Sequence, residues 1–256
     1  MNIDIKINDA VILAGGKGSR LQNGINGCSK PMTPILGKRL ITFVIDSLLE
    51  CGINNIYIVY HSSTADVLTL STYNDIYFKK LKFIKASEQK GILSAVYCAK
   101  NFVDVPFIMT FADIIVQKND FRQMLFNGLN NVNKHPDLLI QSVRNPSMPI
   151  EKVLLIRDGT IIKCDKSGLI GQESGNCKVK SGGMVYLWLK NPFSLIETSL
   201  AEGNYKFKQF IQPFIQKHIV LEMPINDMWD IDTHEDVLQT EKILRLLTKE
   251  IDSAFI

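Results

Sequence analysis

The stretch AVILAGGKGSRL, residues 10–21, determines how the rest of the chain is interpreted. A short apolar run ends abruptly in a segment that holds three glycines and two cations. Such a run, bounded by glycine, is typical of a strand buried on both faces. Glycines at the carboxyl end of a strand let a ligand approach the backbone, and successive exposed N–H groups there suit phosphate. The stretch therefore predicts a strand that leads into a site for the phosphates of a nucleotide.

The rest of the first half alternates apolar runs with amphipathic stretches. Runs typical of buried strands lie at residues 55–60, 81–86 and 106–112, and helical spacing of apolar residues marks 39–52 and 91–103. Strands that alternate with helices predict a parallel sheet with right-handed crossovers.

The second half has a different pattern, with a hairpin signal at Asp158-Gly159. Strands are expected at 178–189 and 219–225, and helices at 192–203, 206–218 and 233–251. Pro213 is expected to end or kink the second of these helices. We therefore expect an α/β fold of three α/β/α layers, Rossmann-like, with a mixed and mostly parallel sheet.

Composition excludes several classes of protein. The chain has 256 residues, 46% hydrophobic and 21% charged, with a net charge of +3, as in an ordinary soluble globular domain. Its cations are scattered among acids, so no nucleic-acid partner is expected. No apolar run approaches the roughly 18 residues that span a bilayer, and no signal peptide is indicated. The five cysteines are dispersed, which favours a cytoplasmic protein with reduced thiols.

Two common nucleotide motifs do not fit the glycine segment. A dinucleotide fingerprint counted from Gly16 would end in glycine, but Leu21 stands there. The spacing of a P-loop does not occur. Residues 13–21, followed by Ser29-Lys30-Pro31-Met32, instead resemble the signature of the sugar-phosphate nucleotidyltransferases, L-A-G-G-x-G-[ST]-R-L…K-P.

This resemblance implies a set of site residues along most of the chain. In the first segment it implies nucleotide binding by Leu13, Ala14, Gly15, Gly16, Lys17, Gly18 and Ser19, with Arg20 and Lys30 as the catalytic cations. Residues 86–100 resemble a segment that contacts base and sugar, which adds Glu88 and Gly91. Residues 110–116 and 228–237 resemble the metal-binding segments and add Asp113, Asp230 and Asp232. The acceptor contacts implied are Asp165, Lys166 and Gly183.

The resemblance also implies the fold, the cofactor and the organisation of the chain. It implies a glycosyltransferase-A-like nucleotidyltransferase domain over residues 1–256, with a nucleotide half at 1–120, an acceptor half at 137–225, and a metal strand and final helix at 226–256. Mg²⁺ is the expected cofactor, because it prefers carboxylates, phosphate oxygens and water. Asp230 is favoured over Asp232 as the main ligand, and an arrangement in which both share one ion stays open.

The function implied is transfer of a nucleoside monophosphate from an NTP to a sugar 1-phosphate, with release of pyrophosphate. Four departures from the family pattern, at Ile92, Ala112, Asp232 and His234, keep an alternative open. That alternative is a cytidylyltransferase acting on a phospho-alcohol or a phosphonate. A third hypothesis is a non-catalytic sensor of nucleotides or nucleotide sugars. The base, the acceptor and the oligomeric state, including a possible homo-oligomer, are not determined by the sequence.

Overall fold

Nine strands form one mixed sheet in the computed structural model, which describes residues 6–16, 18, 21, 27–72, 75–86, 91–130, 135–148, 150, 152–166 and 177–253. The first half of the chain contributes β1 (Asp9–Leu13), β2 (Pro34–Ile35), β3 (Lys38–Arg39), α1 (Leu40–Glu50), β4 (Asn55–Tyr60), α2 (Asp75–Lys80), β5 (Leu81–Lys85), α3 (Ile92–Tyr97), β6 (Phe107–Phe111), β7 (Ile114–Ile115) and α4 (Lys118–Asn130). It also contains 3-10 helices at Lys30–Met32 and Ser62–Thr72.

The second half supplies the remaining strands and three helices. These are β8 (Leu138–Val143), β9 (Lys152–Arg157), β10 (Thr160–Lys166), β11 (Cys177–Trp188), α5 (Phe193–Ala201), α6 (Phe207–Lys217), β12 (Val220–Ile225), β13 (Trp229–Asp230) and α7 (His234–Ser253). Among the described residues, no helix is both long and apolar enough to cross a membrane.

The order of strands in the sheet is β5-β4-β1-β6-β11-β8-β12-β10-β9. Pairing is parallel from β5 through β6, and it becomes antiparallel where β11 joins β6. Followed across the described strands, the pairings give seven strands in one direction, with β11 and β10 opposed to them. The expected mixed α/β sheet is therefore confirmed, with four parallel and five antiparallel pairings among the described strands.

β1 is a central strand of the sheet, and its burial agrees with the apolar run in the sequence. Ala10, Val11 and Ile12 are fully buried, as expected for a central strand covered on both faces. The helix α3 packs against β1 and β4, and α4 packs against β12. Because β1 pairs parallel with both β4 and β6, the carboxyl ends of these three strands lie side by side at one edge of the core.

The hairpin and most of the helices follow the sequence pattern. Asp158 and Gly159 both have positive φ, 50° and 77°, as a tight hairpin turn requires. The helix expected at 91–103 is shorter, because the regular helix ends at Tyr97 and continues as turns. The expectation for Pro213 is wrong as to an end of the helix, since α6 continues through it to Lys217. The buried rings of Phe207 and Phe214 hold that helix against Tyr186 and Trp188 of β11.

Two features of the strands shape the edge where the ligand would bind. β7 and β13 form a separate two-stranded ribbon just beyond β6. β11 pairs with β6 only through residues 185–188, while its earlier residues 177–181 pair with β9. β11 continues past the end of β6, and β9 pairs with this extension. β9 therefore lies beyond the carboxyl end of β6 and borders that edge of the sheet.

Candidate active site

A cavity of about 440 Å³ opens at the carboxyl ends of β1 and β6. Leu13, Gly15 and Gly16 line it after β1, and Phe111 and Asp113 line it after β6. Ligands of α/β sheets bind at this edge because the loops that follow the strands converge there. The cavity therefore lies where the glycine segment predicted a nucleotide.

Gly15 must be glycine because the His61 ring lies against its α-carbon. A Cβ at Gly15 would lie 2.3 Å from His61 Cδ2. His61 follows β4 directly, and its carbonyl accepts bonds from the backbone N–H and the hydroxyl of Thr64. Burial lowers the pKa of His61, so its imidazole is neutral at pH 7. A neutral imidazole thus forms part of the cavity wall beside the glycine segment.

Gly18 makes room for Lys30. Its φ is +57°, and a Cβ there would lie 2.6 Å from Lys30 Cβ. The stem of Lys30 therefore packs directly on the glycine segment, and Lys30 begins a 3-10 helix whose second residue, Pro31, restricts the backbone there. The two parts of the sequence signature, which a variable loop separates, meet here.

Three carboxylates converge beside the cavity through the β7–β13 ribbon. Ile114 lies opposite Asp230 in the ribbon, and the Ile231 N–H donates to the Asp113 carbonyl at 2.9 Å. Asp236, in the first turn of α7, accepts from the Asp232 N–H at 2.9 Å. Carboxylate oxygens of Asp113, Asp230 and Asp232 consequently lie within 4.8 Å of one another.

Lys30 neutralises part of this carboxylate triad. Its Nζ donates to Asp113 Oδ2 at 2.5 Å and to Asp232 Oδ1 at 2.6 Å. The Lys30 side chain is only 7% exposed. Burial lowers the pKa of its ammonium, but the Asp113 and Asp232 carboxylates outweigh burial, so the pKa lies above its ordinary value. Lys30 is therefore fully charged at neutral pH.

The third carboxylate, that of Asp230, is in a different state. Burial, followed by the charges of Asp113 and Asp232, raises the pKa of Asp230 to about 7. One positive charge cannot satisfy three half-buried carboxylates, so this group retains its proton at a pH where an exposed aspartate is ionised.

The triad has the chemistry of a divalent cation site. Asp113 Oδ1 is buried and has no hydrogen-bond partner within the part of the chain that the structure describes. A buried carboxylate oxygen without a partner is costly, and a bound cation would satisfy it. Three carboxylate donors so close together suit a hard cation such as Mg²⁺. The residues present therefore fit the metal that the sequence predicted.

The structure brings together many of the predicted site residues. Those that line the cavity are Leu13, Gly15, Gly16, Gly91, Asp113, Asp230 and Asp232. Lys30 contacts Asp113 of this set, and Gly18 lies against Lys30. The Ala14 N–H donates to the Val59 carbonyl at 2.8 Å. Lys17, Ser19, Arg20, Glu88 and the side chain of Lys166 lie outside the described residues.

The predicted acceptor contacts are placed differently. Asp165 is 8% exposed, forms an ion pair with Lys208 of α6 at 2.7 Å, and is not among the residues that line the cavity. The acceptor role of Asp165 stays a prediction. The Gly183 carbonyl accepts from the Tyr186 hydroxyl at 2.7 Å and from Lys152 Nζ at 3.4 Å, so Gly183 reaches the cavity only through Lys152.

Six cavity residues were not among the predicted site residues: His61, Ile92, Ala95, Phe111, Lys152 and Met184. Ile92 and Ala95 lie within the segment 86–100 that the sequence indicated. His61 and Phe111 could have been found, because each stands at the carboxyl end of a predicted parallel strand. Lys152 and Met184 carry no such signal, since their position depends on how far β11 extends past β6.

Replacement of Lys30 by methionine is expected to tighten binding of a divalent metal in the absence of nucleotide. In the native chain, a metal must displace an ammonium group that holds two of its ligands. We expect the Mn²⁺ dissociation constant, measured by titration calorimetry, to fall about tenfold or more in Lys30→Met, because charge-assisted hydrogen bonds no longer compete. Lys180→Met is the control, since Lys180 pairs with Glu222 at 2.6 Å outside the triad. Equal or weaker Mn²⁺ binding in Lys30→Met would contradict this competition.

Replacement of Asp230 by asparagine is expected to stabilise the metal-free chain in a pH-dependent way. From pH 3.8 to about 7 the folded chain holds a proton on Asp230 that the unfolded chain has lost. The free energy of unfolding therefore falls as the pH rises through this window, and the full cost is present above it. In EDTA, Asp230→Asn should raise the melting temperature more at pH 8 than at pH 5. The exposed Asp104→Asn is the control, and an equal shift at both pH values would refute the assignment.

Comparisons with known proteins agree with this geometry. A model of the nucleotidyl transferase family matches residues 9–144, which is 136 of the 256 residues. The chain is 28% identical over 245 residues to the bifunctional protein GlmU of Methanocaldococcus jannaschii, covering 92% of this chain and 54% of that protein. It is 32% identical over 173 residues to the adenosylcobinamide-phosphate guanylyltransferase of the same organism, covering 64% of this chain and 85% of that protein.

A solved structure shares the fold. A UTP-bound UGPase from Acinetobacter baumannii superposes with a TM-score of 0.71 at 16% identity, covering 93% of each chain. The present chain spans about half the length of the GlmU proteins that it matches. Because the family match covers more than half of the chain and includes the glycine segment, Lys30 and Asp113, the chain belongs to the nucleotidyl transferase family of enzymes.

Proposed function

We propose that the chain transfers a nucleoside monophosphate from an NTP to a sugar 1-phosphate and releases pyrophosphate. The observation that carries this proposal is the convergence of Asp113, Asp230 and Asp232 with Lys30 at the edge of a cavity lined by the glycine segment. In this reaction an oxygen of the acceptor phosphate attacks the α-phosphorus, and the bond from that phosphorus to the β-phosphate oxygen breaks. Two anions must approach each other, so positioning and neutralisation of charge supply most of the catalysis.

The residues of the chain divide this task between them. The backbone around Gly15 and Gly16 gives the triphosphate close access to N–H groups. Lys30, packed on Gly18, is within reach of both the glycine segment and the triad, so its ammonium can balance phosphate charge when a metal holds the carboxylates. Mg²⁺ bound by the triad would neutralise charge on the phosphate oxygens of the NTP. Arg20 is assigned a bidentate phosphate contact by its place in the signature alone.

The acceptor class is inferred from two relatives of the chain. The alignment with the GlmU protein spans 92% of this chain, and a further relative is the UTP--glucose-1-phosphate uridylyltransferase of Bacillus subtilis, 30% identical over 134 residues. The name of the second relative favours a sugar phosphate. The proposed organisation follows the sequence prediction: a nucleotide half at 1–120, an acceptor half at 137–225, and the metal strand and final helix at 226–256, with helices on both faces of the sheet.

A second candidate keeps the chemistry and changes the acceptor. The relative named as an adenosylcobinamide-phosphate guanylyltransferase is 32% identical, and this chain covers 85% of it. That similarity favours a test of phosphorylated acceptors other than sugar 1-phosphates, including the phospho-alcohols and phosphonates that the sequence left open.

Pyrophosphate release tests both candidates in one experiment. ATP, GTP, CTP and UTP are each combined with Mg²⁺ and with glucose 1-phosphate, N-acetylglucosamine 1-phosphate, choline phosphate or 2-aminoethylphosphonate, and products are identified by mass spectrometry. We expect one NTP paired with a sugar 1-phosphate to give the fastest release. Asp113→Asn should reduce that rate on the order of 100-fold, because a metal ligand is lost.

The controls separate failure of the reaction from failure of the protein. Asp104→Asn, an exposed aspartate after α3, should retain the native rate. Faster release with choline phosphate or the phosphonate would replace the sugar acceptor by the second candidate. Nucleotide binding without release of pyrophosphate from any pair would contradict both candidates and favour a nucleotide sensor.

A further inference from the structure

Lys152 brings a positive charge into the cavity from the second half of the chain. It lines the cavity together with Asp113 and Asp230. Its Nζ lies 4.1 Å from the centroid of the Phe111 ring and 3.4 Å from the Gly183 carbonyl oxygen. The glycine segment, by contrast, enters the cavity from the first half. The two walls of the cavity therefore each carry groups that attract anions.

The strand pairing explains why Lys152 lies on the far wall. β1 and β11 pair with opposite edges of β6, so β6 separates the glycine segment from β11. Val153 lies opposite Ser181 of β11, which precedes the part of β11 that pairs with β6. The first residue of β9 is thus held just above the end of β6, where Phe111 and Asp113 stand.

The neighbours of the ammonium group fix its position. Phe111 is 8% exposed, and its ring is held by the central sheet. A cation over an aromatic face is attracted to it, and a carbonyl oxygen adds a directed contact. The charge of Lys152 also acts on Asp230, where it lowers the pKa against the larger effect of burial. The ammonium is therefore held near the carboxylates by a rigid part of the fold.

The geometry of the reaction decides which anion meets Lys152. Attack in line places the entering oxygen and the departing pyrophosphate on opposite sides of the α-phosphorus. If the glycine segment holds the triphosphate at the end of β1, the entering phosphate comes from the side of β11 and β9. We propose that Lys152 binds the phosphate of the acceptor and directs it towards the α-phosphorus, a role that rests on the proposed function.

This assignment replaces Asp165 as the acceptor contact in the second half of the chain. Asp165 is held by Lys208, whereas Lys152 lies in the cavity itself. A lysine recognises phosphate as a point charge, so it selects an acceptor for its phosphoryl group and not for one particular sugar. The apolar surfaces of Phe111 and Met184 beside it offer contact to the body of the acceptor. The acceptor class is therefore a phosphate monoester or phosphonate with a less polar face.

Separate Michaelis constants for the two substrates test this role. The NTP and acceptor that give the fastest pyrophosphate release are used with the native chain, Lys152→Met, Lys152→Gln and Lys152→Arg. The matched control is Lys82→Met, because Lys82 Nζ also lies over an aromatic ring, 5.1 Å from the Tyr57 centroid, on the edge strand β5. Melting temperatures show whether each variant is folded.

We expect the acceptor KM to rise roughly 10- to 100-fold in Lys152→Met and Lys152→Gln, because a charge-assisted contact is lost. The NTP KM should stay within about twofold, Lys152→Arg should recover part of the acceptor affinity, and Lys82→Met should match the native chain in both constants. An unchanged acceptor KM, or a rise confined to the NTP KM, would overturn the role of Lys152 and leave the proposed function intact. Absence of turnover by the native chain with every pair would refute the proposed function, and the role of Lys152 with it.

Discussion

The ion pairs between Lys30 and two aspartates hold the candidate active site together. Lys30 lies 83 residues from Asp113 and 202 residues from Asp232 in sequence, yet its buried ammonium contacts both carboxylates. Three carboxylates within 4.8 Å of one another repel strongly in a buried setting unless a cation lies among them. The close approach of β7 and β13, and the start of α7 just beyond them, therefore depend on a positive charge at this point. Gly18 is part of the same constraint, because any side chain there would displace the stem of Lys30.

The same electrostatics link the fold to the chemistry. The buried Lys30 ammonium and a divalent metal compete for the same carboxylates, and the metal carries the larger charge. When a metal takes the carboxylates, the Lys30 ammonium has to find another anion, and the glycine segment on which its stem packs is where phosphate is expected. Asp230, which keeps its proton in the metal-free chain because burial and its neighbours raise its pKa to about 7, becomes a ligand only on losing that proton. A single cluster can thus bind Lys30 without substrate and serve as a reaction centre with it.

Much of this site could be predicted from the sequence because its residues follow strands. The glycine segment after a buried strand and Asp113 after the next central strand have positions that a parallel sheet dictates. Asp230 was found from its segment before the last helix, and the antiparallel β7–β13 ribbon brings it to Asp113. The prediction fails where a position depends on pairing between distant strands. Lys152 reaches the cavity only because β11 continues past β6 and brings β9 with it, and no local pattern reports that extension. The acceptor role of Asp165 stays a prediction, since its neighbour in the sequence suggested a ligand pair while its ion-pair partner in space, Lys208, comes from α6.

The most direct test of this account is where a metal binds in a crystal of the protein. Crystals grown with Mn²⁺ and with each of the four NTPs would be measured at a wavelength where manganese scatters anomalously. The account predicts an anomalous peak among the oxygens of Asp113, Asp230 and Asp232, with Lys30 Nζ moved away from Asp113 and Asp232 towards the phosphates. A peak elsewhere, or a lysine that still bonds both aspartates with nucleotide and metal bound, would contradict it.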